Sequence, residues 1–158
     1  MTEPHPPRPP HVAPSAEGGF SVVLTLDGKY RFDVDPMREE IPGFSIDEAP
    51  PLGDGAGPSP TRVLAAALAS CLGSSLLFCL RKARVDVRGL RVEATGTYVR
   101  NDAGRLRIGS LSVRLHPTLG DTDPARMGRC LEIFEDYCII SQSLRAGVPV
   151  DVKLGLAE

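Results

Sequence analysis

The chain has 158 residues, of which 42% are hydrophobic and 24% charged, with a formal net charge of −2. This length fits one domain with a tail, and the near-average composition excludes a fully disordered chain. The slightly acidic balance and the aromatic content of 5% argue against general binding to nucleic acid or to anionic lipid, so we expect no nucleic-acid partner and no membrane partner.

The first 18 residues are dominated by proline, with six Pro between Pro4 and Pro14. Proline at this density removes backbone donors and prevents helix formation, so residues 1–18 are predicted to be a disordered tail and residues 19–158 a single domain. The tail has no apolar core of a signal peptide, which predicts a cytoplasmic protein with reduced thiols.

Residues 19–35 predict a β-hairpin, because apolar and polar residues alternate on both sides of a strong turn signal at Asp27-Gly28. The following segment, 36–60, is so rich in Pro and Gly that it is predicted to be a loop. Loops of this length are often functional or cover a partner.

The segment from Val63 to Leu80 contains 18 residues without a charge. This is the lower limit for a transmembrane helix, but many of its residues are Ala, Gly or Ser, so a helix buried on all sides is the better interpretation. Such a helix can start near Thr61 after Pro60, and Arg81 and Lys82 complement its carboxyl end.

The remaining elements come as a hairpin, two helices and a strand. Residues 89–100 predict a long strand, its return starts at Leu106, and Gly109 marks a bulge. A second helix is predicted to start at Asp123-Pro124 and to reach Cys138, with a shorter helix over 141–146. Val150, Val152 and Leu154 predict a last strand. Strands in hairpins indicate an α+β fold with antiparallel sheet. His116 precedes Pro117 and is predicted to be a surface turn residue.

Four cysteines carry the candidate chemistry: Cys71, Cys79, Cys130 and Cys138. Their spacing fits no zinc motif, so no metal is expected. The Gly-rich stretch 53–57 lacks the Lys-Ser/Thr ending of a phosphate-binding loop, and no cofactor is expected. Eight residues along one helix separate two cysteines by ~12 Å, too far for a disulfide.

Any redox pair must therefore join the two helices. Cys138 is the better second partner, because it lies where the second helix breaks. Cys79 and Cys130 are predicted to be small apolar fillers of the core.

Two segments resemble the OsmC/Ohr family. The run 57–71, ending in Ala69-Ser70-Cys71, looks like the helix of the family's first cysteine. The run 134–150, with Tyr137-Cys138 followed by Ser143-Leu144-Arg145, looks like the region of its second cysteine. The resemblance implies antiparallel sheets wrapped around two central helices in an intertwined homodimer.

The resemblance also implies an antioxidant stress-response activity, the thiol-dependent reduction of organic hydroperoxides. Cys71 would be the peroxidatic thiol and Cys138 the resolving thiol, forming a disulfide that an external dithiol reduces. Family peroxidases carry a Glu just before the helix, where this chain has Thr61 and Arg62, and use an Arg to hold the thiolate. Arg31 and Arg38 are the upstream candidates for that Arg.

A second function remains open at this stage. The same fold could bind a small lipid-like or thiol ligand, with the cysteines retained in the core. The departure at Thr61 and Arg62 favours this alternative, whereas the joint presence of Cys71 and Cys138 favours the peroxidase.

Overall fold

The computed structural model describes residues 19–121 and 123–155. The predicted disordered tail over 1–18 lies outside the described residues. The chain divides between Pro60 and Thr61 into two compact units, which are taken in turn.

The first unit is a three-stranded antiparallel sheet in the order β1-β2-β3, made of Val23–Leu26, Phe32–Asp35 and Phe44–Ile46. The predicted hairpin is confirmed, and its turn contains Gly28 with a φ of +125°, which glycine adopts without strain. The prediction of a continuous loop over 36–60 is wrong for β3, where Phe44 pairs with Val34 of β2.

Asp47 organises the loop after β3. Its side chain is buried at 2% exposure, and Oδ2 accepts the N–H groups of Asp54 (3.1 Å) and Ala56 (2.9 Å). These backbone hydrogen bonds, first that of Ala56, hold the pKa of Asp47 below its usual value against the opposing effect of burial. The Asp47 carboxylate therefore stabilises the backbone of its own loop.

The second unit starts with the long helix α1, Pro60–Lys82, which confirms the predicted helix. Every fourth residue from Leu68 to Leu80 is a buried leucine, whereas the opposite face is exposed and carries Ala66, Ser70, Ser74 and Phe78. The prediction that α1 is buried on all sides is therefore wrong for a single chain. By length and composition α1 could cross a membrane, as core helices of soluble proteins also could. Its packed leucine face favours a core helix.

Strands β4 (Val87–Arg100) and β5 (Leu106–Leu119) form a long antiparallel hairpin. Its register shifts opposite Thr97 and Tyr98, which leaves Gly109 as an extra residue and confirms the predicted bulge. A Cβ at Gly109 would lie 2.6 Å from a methyl group of Val99, so only glycine fits. His116 is half exposed, as predicted, but it lies within β5 beside Glu93 and not in a turn.

The predicted second helix is broken into three pieces: a 3-10 turn at Pro124–Arg126, helix α2 at Gly128–Ile133, and a 3-10 turn at Phe134–Tyr137. The predicted start is confirmed, since Asp123 Oδ1 accepts the Ala125 N–H at 3.0 Å. Cys138 is extended (φ −81°, ψ 101°) and interrupts helical geometry before α3, Ile139–Ala146.

The predicted last strand does not form in the described chain. Residues 147–155 have no regular structure, and Val150 and Val152 are 83% and 85% exposed. A strand needs a neighbouring strand for its backbone hydrogen bonds, and none is paired with this segment. The fold class is nevertheless α+β with antiparallel sheets, as predicted.

Candidate functional site: two cysteine pairs between helices

The leucine face of α1 packs into two apolar clusters, and each contains cysteines from two different segments. One cluster has Leu76, Leu80, Val85 and Cys130 at its centre, with Cys79 packed against it. The other has Leu68, Leu72 and Cys138 at its centre, with Cys71 packed against it. Each α1 cysteine is therefore matched with one cysteine of the segment that follows β5.

Cys79 and Cys130 form a disulfide with their Cα atoms 5.5 Å apart. The predictions that both are apolar fillers and that the thiols are reduced are therefore wrong for this pair, although both cysteines do lie in or against the core. The sequence carried a signal for this pairing. Cys71 and Cys79 are eight residues apart, and so are Cys130 and Cys138. If the two segments run antiparallel, an arrangement that brings Cys79 to Cys130 therefore also brings Cys71 to Cys138.

Cys71 and Cys138 are free thiols, and Cys71 on α1 packs against the cluster that contains Cys138 at the start of α3. Each thiol contributes to the shift in the pKa of the other, so the two lie close together. Cys138 is completely buried, with 0% exposure, whereas Cys71 is partly exposed. The structure thus brings together the two residues that the resemblance implied as the catalytic pair.

Cys138 is the N-cap residue of α3, and its sulfur atom accepts the Ser141 N–H at 3.4 Å. Ser141 is itself buried, and its hydroxyl donates to the Cys138 carbonyl oxygen at 3.3 Å. The free N–H groups of a helix's first turn favour a negative charge at this position. The start of α3 therefore places one backbone donor, the Ser141 N–H, on the Cys138 sulfur.

The two thiols differ in acidity. Burial raises the pKa of Cys71, and the neighbouring Cys138 raises it further, against the effect of the Ile140 N–H. Burial also opposes ionisation of Cys138, but hydrogen bonding with Ser141, Cys71 and the α3 backbone outweighs it and lowers the pKa of Cys138. No arginine or lysine is among the main causes of either shift.

An open cleft of about 760 Å³ is lined by Leu68, Leu72 and Ser141, which pack around Cys138, although neither cysteine is itself a lining residue. Its walls are mainly apolar side chains of α1, β5 and the 3-10 turn before α3, including Leu68, Leu72, Val113 and Phe134. Ser141 also lines it, and an ion pair between Glu135 and Arg145 supplies its charged groups. The cleft can hold a largely apolar ligand next to the cluster that contains Cys138.

The two predicted thiolate-stabilising arginines lie in the first unit, whereas both cysteines lie in the second. Arg31 forms an ion pair with Asp27 across the β1–β2 turn. Arg38 is exposed, with Nε 3.7 Å from Glu40 Oε2. Their role at Cys71 stays a prediction. Within residues 19–121 and 123–155, no three His, Cys, Asp or Glu side chains are grouped as metal ligands.

A sequence model of the OsmC-like protein family matches residues 53–153, which include all four cysteines. The chain therefore belongs to the OsmC-like family, as the resemblance indicated. No curated protein has significant sequence similarity to it.

Several solved structures share the fold. An OsmC-like protein of unknown function from Vibrio cholerae superposes with a TM-score of 0.69 at 18% identity, covering 80% of this chain and 93% of its own. An organic hydroperoxide resistance protein OsmC from Legionella pneumophila gives 0.58 at 14% identity, covering 80% and 90%. An organic hydroperoxide resistance protein from Elizabethkingia anophelis gives 0.59 at 18% identity, covering 83% and 92%. At these identities the similarity establishes the fold.

Proposed function

We propose that this protein reduces organic hydroperoxides through Cys71 and Cys138. The observation that carries the proposal is the pairing of two free thiols, one on α1 and one at the start of α3, in an apolar cluster whose Leu68 and Leu72 also line a cleft. Relatives of the same fold from Legionella pneumophila and Elizabethkingia anophelis are described as organic hydroperoxide resistance proteins, which supports it.

The bonds that form and break belong only to the two thiols, the peroxide and a reductant. The Cys71 thiolate attacks the distal peroxide oxygen, the O–O bond breaks, and the alkoxide leaves and is protonated to the alcohol. Cys71 is now a sulfenic acid. The Cys138 thiolate attacks its sulfur, forming the Cys71–Cys138 disulfide and releasing hydroxide, which becomes water. An external dithiol then reduces the disulfide by exchange and is itself oxidised.

The relative exposure of the thiols supports this order of events. A peroxide must first reach the nucleophile, and Cys71 is partly exposed whereas Cys138 is fully buried. The apolar walls of the cleft favour a peroxide with an apolar body over hydrogen peroxide. The raised pKa of Cys71 disfavours its thiolate, an effect that a nearby cation would offset, and Arg31 and Arg38 are the proposed sources of that cation.

The functional form is proposed to be a cytoplasmic homodimer. Large apolar side chains are exposed on both units, including Phe20 (100%) and Phe78 (62%). Val150 and Val152 alternate with polar residues in a segment that pairs with no strand of the described chain. Surfaces of this kind are usually covered by a partner, and a second copy would cover the exposed face of α1.

A peroxidase assay with a dithiol reductant tests the function. The wild-type protein should consume cumene hydroperoxide, and Cys71→Ser should fall to the uncatalysed rate because it lacks the nucleophile. Cys138→Ser should accumulate a sulfenic acid at Cys71, detectable by dimedone labelling. Ser70→Ala, an exposed change next to Cys71, is the matched control and should keep activity. Full activity in Cys71→Ser would refute the proposal.

The second candidate function is binding of a small apolar ligand without catalysis. The cleft of about 760 Å³ is the observation that favours it, because this volume suits a small molecule whether or not the thiols react. Native mass spectrometry of the purified protein would detect such a ligand. Saturable binding together with unreactive Cys71 would favour this function over the peroxidase.

A further inference from the structure

The Cys71–Cys138 pair is asymmetric, and this asymmetry bears on how its disulfide would be opened. Reduction by thiol exchange requires in-line access to one sulfur atom, while the other sulfur leaves as a thiolate. Cys138 has 0% exposure and is clustered with Leu68 and Leu72 of α1, whereas Cys71 is partly exposed. Access therefore favours attack on Cys71.

The leaving sulfur also differs between the two directions. Released Cys138 would lie at the N-cap of α3, where the Ser141 N–H points at its sulfur at 3.4 Å and the Ser141 hydroxyl lies against the same residue. The better-stabilised thiolate leaves faster in an exchange reaction. Both the access and the hydrogen-bond donors thus select the same direction.

Charged side chains do not reverse this preference. Helix α1 carries no charged residue between Arg62 and Arg81. On the opposite side, Glu135 and Arg145 line the cleft and are paired with each other. Among the groups named as causes of the Cys138 pKa shift, the titratable one is Cys71.

We propose that the Cys71–Cys138 disulfide, whose catalytic use rests on the proposed function, is reduced only from the Cys71 side. A thiolate of the external dithiol attacks Cys71 Sγ, a new sulfur–sulfur bond forms to Cys71, and the bond to Cys138 breaks. Cys138 leaves with the electron pair as a thiolate, which Ser141 and the first turn of α3 hold. The second thiol of the reductant then displaces Cys71 and completes its own oxidation. Ser141 is thereby a positioning residue for the leaving group.

The test uses the wild-type protein oxidised by diamide, so that it does not depend on the peroxide reaction. The disulfide is treated with glutathione, quenched in acid after short times, alkylated, and mapped by peptide mass spectrometry. Glutathione should be found on Cys71 at least about tenfold more often than on Cys138, as expected when one sulfur is both accessible and a poor leaving group. Equal labelling, or labelling mainly on Cys138, would overturn the inference.

A second measurement examines the role of Ser141. In a Cys71→Ser background, the thiolate absorbance near 240 nm reports the ionisation of Cys138. Adding Ser141→Pro, which removes the N–H that Cys138 Sγ accepts, should move this titration to higher pH; in the four-cysteine protein it should slow glutathione attack on the Cys71–Cys138 disulfide. Ser141→Ala keeps this N–H, so it is the matched control and should change neither. An unchanged titration in Ser141→Pro would remove the Ser141 N–H from the mechanism.

The two proposals fail separately. If peroxide leaves Cys71 reduced but glutathione still labels Cys71 in the diamide-formed disulfide, the peroxidase function is wrong and the direction of exchange stands. If peroxide forms the disulfide but glutathione labels Cys138, the function stands and the direction is wrong.

Discussion

Breaking the Cys79–Cys130 disulfide should cost this protein a large part of its stability. The bond joins residues 51 apart in sequence, and it ties α1 to α2 across the β4–β5 hairpin. Closing a loop of this length in the unfolded chain corresponds to about 4 kcal/mol in the chain-entropy model. With a urea dependence of roughly 2 kcal/mol per molar, the unfolding midpoint should fall by about 2 M.

The assay is urea unfolding followed by circular dichroism, with Cys71→Ser and Cys138→Ser in every protein so that one disulfide is studied. The phosphine reductant TCEP should lower the midpoint of this background protein by about 2 M. Adding Cys79→Ala and Cys130→Ala should lower the midpoint by a similar amount and abolish the effect of TCEP. If TCEP leaves the midpoint of the background protein unchanged, the reasoning is refuted. It is also refuted if the native background protein, without reductant, contains two reactive thiols.

Three further changes test the packing, the loop and the assembly. Leu80→Ala, at a side chain with 1% exposure in the core of the second unit, should lower the free energy of unfolding by about 2–5 kcal/mol in urea titrations; a loss below 1 kcal/mol would contradict the cluster. The pKa of Asp47 is lowered in the folded state, so its carboxylate contributes stability above the unfolded pKa, and this stability is lost as pH falls through the folded pKa. Asp47→Asn should therefore flatten the acid side of a plot of the free energy of unfolding against pH. An unchanged plot would contradict the role of its hydrogen bonds. Phe78→Glu should convert the proposed dimer to monomer in light scattering, whereas Arg105→Glu in the β4–β5 turn should not; a wild-type monomer would contradict the assembly.

The local parts of the fold were predictable from sequence. The Asp27-Gly28 turn, the bounds of α1 and the bulge at Gly109 all depend on residues that are neighbours in the chain. Glycine at a bulge and Pro60 at the start of a helix have the same conformational preferences in most folds. The predictions for these elements therefore did not depend on the rest of the structure.

The errors occurred where contacts distant in sequence decide the structure. Strand β3 exists because Phe44 meets Val34 of β2, which outweighs the turn-forming residues around it. The second helix was predicted as continuous because its apolar spacing is regular, yet Cys138 takes an extended conformation and caps α3. The segment with Val150 and Val152 has a strand pattern but no neighbouring strand in the described chain.

The candidate site shows the same division. Helical spacing correctly required any disulfide to join two helices, and the resemblance supplied Cys71 and Cys138. The bond between Cys79 and Cys130 was missed because each looked like an isolated apolar residue. The lowered pKa of Cys138 depends on the approach of Ser141 and Cys71, which the sequence alone does not reveal.

The most direct test of the central claim is a single turnover with one equivalent of cumene hydroperoxide, analysed by non-reducing peptide mapping. The account predicts rapid formation of a peptide crosslinked between Cys71 and Cys138, while the peptide joining Cys79 to Cys130 is present before and after peroxide and serves as the internal reference. If Cys71 and Cys138 remain reduced while the peroxide persists, the protein has the fold of its family without the proposed chemistry.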